Sequence, residues 1–180
     1  MTDLSPLCAL GGRVARHGAL SLTENAGLAL ASLALRRGAA EPVPFGLRLP
    51  GPGLCCAGQG LAAFWTGPGQ WFIEATDRAE TDFARDLAQH APGCSVTEQT
   101  DGWVCFEIEG PGIPALMAKL VNIDTAAFGP GCATRTALEH MSVFVIRRAE
   151  ERLAVLGMRS AAGSLWHALE TAMERQGELT

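Results

Sequence analysis

Apolar and polar positions change rhythm several times along this chain. Leu28 to Leu35 is almost wholly apolar. Propensity there suits a helix, whereas the alternation of Leu28 with Leu30 and of Leu33 with Leu35 suits a strand buried on both faces. Just before it, Ser21 to Glu24 has the spacing of a helix-capping box. The first twenty residues carry Gly, Arg and His17 without periodicity and read as an arm. Pro and Gly are densest from Pro42 to Gly60, which predicts a loop with at most a helical turn near Phe45 to Leu47. Leu61 to Trp65 and Trp71 to Ala75 read as a hairpin around the loop Thr66-Gly67-Pro68-Gly69-Gln70. Asp77 is placed to cap a helix from Arg78 to Gln89, stopped by Pro92-Gly93, and Ser95 to Gln99 has strand composition.

The second half repeats the mixture. Trp103 to Ile108 alternates, with Trp103, Cys105 and Glu107 on one side and Val104, Phe106 and Ile108 on the other. Gly110-Pro111-Gly112 turns the chain into a helix from Ile113 to Val121, and Phe128-Gly129-Pro130-Gly131 turns it again. Strands follow over Thr134 to His140, Ser142 to Arg148 and Leu153 to Met158. The last helix starts near Ser160 and carries the stripe Ala162, Leu165, Trp166, Leu169, Ala172 and Met173. Hairpins inside interleaved strands and helices predict an α+β fold with mainly antiparallel sheets. With residues 28–35 as a strand, the first half takes the split-βαβ, ferredoxin-like order, which favours the strand. The organisation expected is an arm over 1–20 and two α+β halves, 21–100 and 101–180, forming one compact unit.

The 180 residues include 14 basic and 19 acidic side chains, a net charge of −5. That argues against a nucleic-acid or anionic-membrane surface. Thirteen of the basic residues are Arg, and Lys119 alone is Lys. No run of 18 apolar residues predicts a membrane span, and residues 1–6 lack the marks of a secretory signal. A cytoplasmic location is therefore expected, with Cys8, Cys55, Cys56, Cys94, Cys105 and Cys132 as reduced thiols.

No phosphate loop, dinucleotide fingerprint, nucleophile elbow or paired Cys-x-x-Cys is present. His167 and Glu170 stand three apart on a helix, but further metal ligands in register are missing, and a solvated face is the better reading. His90 suits the C-terminal end of its helix. Glu139 and His140, as strand neighbours, would face opposite sides. Asp124 follows a helix and precedes the Gly-Pro-Gly turn, where a turn-capping role outweighs a catalytic one. No catalytic, cofactor-binding or metal residue is assigned. Trp65 and Trp71 flank the hairpin loop as candidate interface anchors, set against simple core packing. Gly67, Pro68, Gly69, Gly110, Pro111, Gly129 and Pro130 are structural turn residues.

Several of these features together resemble the gamma subunit of heterotetrameric sarcosine oxidase. They are Trp65-Thr66-Gly67-Pro68-Gly69-Gln70-Trp71, Glu109-Gly110-Pro111 before a Leu-bearing helix, Asp124 with Phe128-Gly129-Pro130-Gly131, and Thr134-Arg135-Thr136-Ala137-Leu138. A strand ending in Arg147, and Arg159-Ser160-Ala161 leading to Leu165-Trp166, complete the set. The resemblance implies two ferredoxin-like halves, similar to the folate-binding domain of the glycine-cleavage aminomethyltransferase. It implies a non-catalytic structural subunit with alpha, beta and delta partners, in a complex that oxidatively demethylates sarcosine to glycine. The FAD, FMN, NAD and tetrahydrofolate then belong to partner subunits. Asn122-Ile123-Asp124 departs from the Asn-Asp turn of true aminomethyltransferases, so no catalytic aspartate is carried over. A stand-alone folate-binding module, with Asp124 or Glu109 facing the pterin, and a small subunit of N-methylglutamate dehydrogenase remain alternatives.

Overall fold

A computed structural model describes residues 8–177. In chain order the strands and helices are β1 Val14–His17, β2 Leu20–Glu24, β3 Ala29–Leu35, β4 Cys55–Gly58, β5 Leu61–Gly67, β6 Gln70–Ala75, α1 Phe83–His90, β7 Cys94–Glu98, β8 Trp103–Glu109, α2 Ile113–Leu120, β9 Ala133–Leu138, β10 Met141–Ala149, β11 Arg152–Met158 and α3 Ala162–Gly177. They form two compact units. One is Ala26–Asp101; the other joins Cys8–Asn25 to 102–177.

The first unit is a five-stranded antiparallel sheet in the order β4-β5-β6-β3-β7. Read as β3, β5, β6 and β7, the strands lie fourth-first-third-second, the ferredoxin-like arrangement. The first crossover helix is replaced by residues 36–54, which hold only a single 3₁₀ turn at Pro44–Gly46. Pro42, Pro44, Pro50 and Pro52 lack the amide hydrogens a helix needs. Ala29, Ala31 and Leu33 pack with Ile73, Trp71, Phe83 and Leu87. Leu30, Phe64, Phe72 and Glu74, on the opposite face, are buried as well. Burial on both faces explains why residues 28–35 read as one apolar run, and it resolves that run as a strand.

The second unit is a six-stranded sheet, β1-β2-β8-β11-β10-β9, with every neighbouring pair antiparallel. Read as β8, β10, β11 and then β2, it repeats the fourth-first-third-second order. Its fourth strand comes from the N-terminal side, so Ala26–Asp101 is inserted between β2 and β8. The core joins Val104, Phe106 and Ile108 to Leu116 and Met117 of α2 and to Leu165, Trp166 and Leu169 of α3.

Several expectations change. Residues 8–25 are neither an arm nor part of the first half. Their strands pair with each other and with β8, and so belong to the second unit. Residues 1–7 of the expected arm lie outside the described residues. Ser21 to Glu24 is strand β2, not a helix cap, because Leu20, Leu22 and Glu24 alternate into a buried sheet face. The Glu24 carboxylate instead accepts from the amides of Leu10 (3.0 and 3.1 Å) and Gly12 (2.8 Å). The hairpin loop contracts to a two-residue turn, Pro68-Gly69, with Gly69 at φ 65° and a bulge between Trp65 and Gly67. Helix α1 starts later than expected and is capped by Asp82, which accepts from the Arg85 amide at 3.1 Å. Asp77 takes a left-handed conformation (φ 54°), which ends the preceding strand instead. Glu139 and His140 form the β9–β10 turn, with Glu139 at φ 52°.

Candidate functional site

Three groups of side chains carry chemistry, all within the second unit. The first lines an open groove of about 510 Å³ formed by Lys119 and Leu120 of α2, Glu139 of the β9–β10 turn, and His167, Ala168, Thr171, Ala172 and Arg175 of α3. The fold assembles it from distant sequence. A bridge between Val121 and Leu138 brings the end of α2 beside the hairpin turn. On α3 the lining positions recur three and four apart, so they share one face. Ala168 and Ala172 are buried and make an apolar floor. Lys119, Glu139, His167 and Arg175 are exposed on the rim. None of these four side chains is hydrogen-bonded or ion-paired to another described residue.

The second group ties β1 to α3. Glu170 receives the Trp166 indole N–H at 3.1 Å and Arg13 at 3.4 Å, and Arg13 lies 4.9 Å from the Trp166 ring. His17 stands 3.8 Å from Glu170 and 3.9 Å from Glu174. Glu170 is thus an ion-pair hub rather than a metal ligand with His167. Among the described residues no group of three or more His, Cys, Asp or Glu is placed to hold a metal ion.

The third group lies on the strands. Arg148 donates through Nε to both carboxylate oxygens of Glu107, at 3.0 and 3.2 Å, and the Cys105 thiol approaches Glu107 at 3.7 Å. Trp103 and Phe144 are in ring contact at 5.5 Å. One strand position away, Arg147 is 2% exposed. Its guanidinium donates to the Glu150 carbonyl and approaches the Met117 sulfur at 3.9 Å, while Nε has no partner. Arg147 also exchanges backbone bonds with Gly131 and Cys132, at 2.8 Å each. It therefore anchors the turn that follows Phe128.

The residues singled out from sequence fall into place. Asp124 accepts from the amides of Ala126 (3.0 Å) and Ala127 (3.2 Å), the local turn cap expected of it. Trp71 is 4% exposed and its indole donates to the Pro50 carbonyl at 2.8 Å, so it is a core residue rather than an exposed anchor. Trp65 is half-buried against the first unit's core. Gly110 sits at φ 130° before Pro111. After Gly129-Pro130, the left-handed position falls on Gly131 (φ 87°). His90 lies 4.0 Å from Asp86 and stacks on Phe45 at 4.0 Å. None of the six cysteines is joined in a disulfide. Burial raises the Cys56 thiol above its ordinary range, as it does Cys94, where Arg36 partly offsets it. No helix among the described residues is long and apolar enough to cross a membrane. The groove was missed in sequence because its rim residues lie as far apart as 119 and 175. The single lysine was the one available signal.

The class defined so far is a pair of ferredoxin-like α+β units, one inserted in the other. Solved structures with a similar fold include the following two. A chain of heterotetrameric sarcosine oxidase from Corynebacterium sp. U-96, in complex with pyrrole 2-carboxylate, matches with a TM-score of 0.76 at 22% identity, covering 90% of this chain and 87% of that one. Glycine cleavage system aminomethyltransferase T from Bartonella henselae matches with a TM-score of 0.62 at 17% identity, covering 85% of this chain and 46% of that one. No protein-family model matches, and no curated protein matches in sequence. At these identities the shared property is the fold, and the fold is the one the sequence resemblance implied.

Proposed function

We propose that this chain is a gamma-type, non-catalytic structural subunit of a sarcosine oxidase-like flavoenzyme complex. The observation that carries the reading is the two-sided coverage. The chain matches nearly the whole of one chain from a heterotetrameric sarcosine oxidase, but under half of the aminomethyltransferase. That difference supports the sarcosine oxidase chain, over the aminomethyltransferase, as the better counterpart. On this reading alpha, beta and delta chains are its partners. The complex oxidatively demethylates sarcosine to glycine in the cytoplasm, with tetrahydrofolate as one-carbon acceptor. FAD, FMN, NAD and tetrahydrofolate sit in the partner subunits. The half-buried Trp65 is a candidate anchor toward them.

Co-expression of the tagged chain with sarcosine oxidase-like alpha, beta and delta chains tests this. The expected result is a yellow complex that oxidises sarcosine and contains the chain in stoichiometric amount. Assembly of an active complex that leaves the chain behind would overturn it. The likeness to the aminomethyltransferase favours a second reading, a stand-alone folate-binding module. Saturable tetrahydrofolate binding by the isolated chain would select that one. The small-subunit role in an N-methylglutamate dehydrogenase is separated by offering the complex N-methylglutamate beside sarcosine.

A further inference from the structure

We propose that the groove between α2, the β9–β10 turn and α3 docks an acidic segment of a partner polypeptide. The proposal rests on the subunit reading above and names the surface that reading leaves open. Two basic side chains, Lys119 and Arg175, line the groove with one carboxylate, Glu139, and with His167. This excess of positive charge occurs on a chain whose net charge is −5. Each cation sits in the last turn of its helix, where the exposed carbonyl ends favour positive charge. That accounts for their sign but does not use their N–H donors, since neither side chain is paired to another described residue. A guanidinium fork and an ammonium held above an apolar floor match carboxylates that flank a small apolar side chain. The floor is Leu120, Ala168 and Ala172. A small carboxylate metabolite is the poorer fit. Such ligands take sites that enclose most of their surface, whereas here the charged groups lie on an open rim.

Lys119 makes the test specific, because it is the only ε-amino group in the chain. Its acetylation by an N-hydroxysuccinimide ester is followed by mass spectrometry in the free chain and in the co-purified complex. A zero-length carbodiimide is then applied to the complex. The expected results are at least tenfold slower acetylation in the complex and an amide cross-link from Lys119 to an Asp or Glu of a partner. The double variant K119E/R175E is expected to associate at least tenfold more weakly, and the control R85E, an exposed site on α1, as the wild type does. If a complex forms but Lys119 reacts at its free rate, or charge reversal leaves association unchanged, the groove proposal falls and the subunit reading stands. If no complex forms, both fall.

Discussion

The indole Nε1 of Trp71 donates a hydrogen bond to the carbonyl oxygen of Pro50 at 2.8 Å, and both residues are buried. Through this bond the proline-rich segment that replaces a crossover helix is fastened to the middle of the first unit's sheet. The segment has few other backbone partners to offer, because its prolines carry no amide hydrogen. Replacing Trp71 by Phe keeps most of the apolar area but leaves the Pro50 carbonyl unpaired. The expected loss is about 1–3 kcal/mol. Trp71→Ala adds a cavity, and the expected loss rises to about 3–5 kcal/mol. Urea unfolding followed by circular dichroism reads both, and a Phe variant as stable as the wild type would remove the bond's assigned role.

The two Gly-Pro turns of the second unit should respond differently to alanine. At Gly110 the backbone is at φ 130°, and an added Cβ would lie 2.3 Å from the carbonyl oxygen of Ala19. That obstacle is backbone in a paired hairpin and cannot swing aside, so Gly110→Ala is expected to force β2 away from β8 and abolish soluble expression. A Cβ added at Gly129 would meet nothing within 4 Å, and the backbone there has no positive φ. Gly129→Ala is expected to change stability by no more than about 0.5 kcal/mol, the range for open surface sites. Comparing soluble yield and melting temperature of the two variants checks the contrast.

Glu24 shows where local pattern and long-range structure parted. Ser21 and Glu24 have capping-box spacing, and a reading confined to neighbours finds a helix start there. What decides the matter is the pairing of Ser21 with Glu109 and of Glu24 with Phe106, more than eighty residues away. Likewise the alternation of Trp103 to Ile108 and the stripe on α3 were legible, because burial follows a fixed local period. The insertion of one unit into the other, and the groove whose rim runs from residue 119 to 175, were not. They depend on which strand neighbours which, and no local period encodes that.

The same carboxylate gives a prediction. Glu24 is 4% exposed and bonds the amides of Leu10 and Gly12, closing the N-terminal segment onto β2. Glu24→Ala leaves those part-buried amides without their acceptor, at an expected cost of about 1–3 kcal/mol. The effect should be local as well as global. Amide exchange at residues 10–12 is expected to quicken more than at β10, and limited proteolysis should cut first near Gly11-Gly12. Equal quickening throughout the second unit would show that the carboxylate is not a local clasp.

Cys56 and Cys94 should give up their protons less readily than an ordinary thiol. Burial disfavours the thiolate of both, and the Arg36 charge only partly compensates at Cys94. The Cys56 thiol also donates to the Arg48 carbonyl at 3.2 Å, a bond that the ionised form cannot make. A raised thiol value means a smaller thiolate fraction at any given pH, and the thiolate is the form that reacts. Alkylation by iodoacetamide at pH 8 is therefore expected to be several-fold slower at these two sites in the folded chain than in urea. The linkage runs the same way. The folded values lie above the ordinary 9.0, so the folded state holds these protons more tightly than the unfolded state does. Their contribution to stability is then full below pH 9 and declines as pH rises through the folded values. Cys56→Ser and Cys94→Ser chains, melted between pH 7 and pH 10.5, should lose less stability over the alkaline part of that range than the wild type. A parallel decline in all three would place the alkaline sensitivity elsewhere.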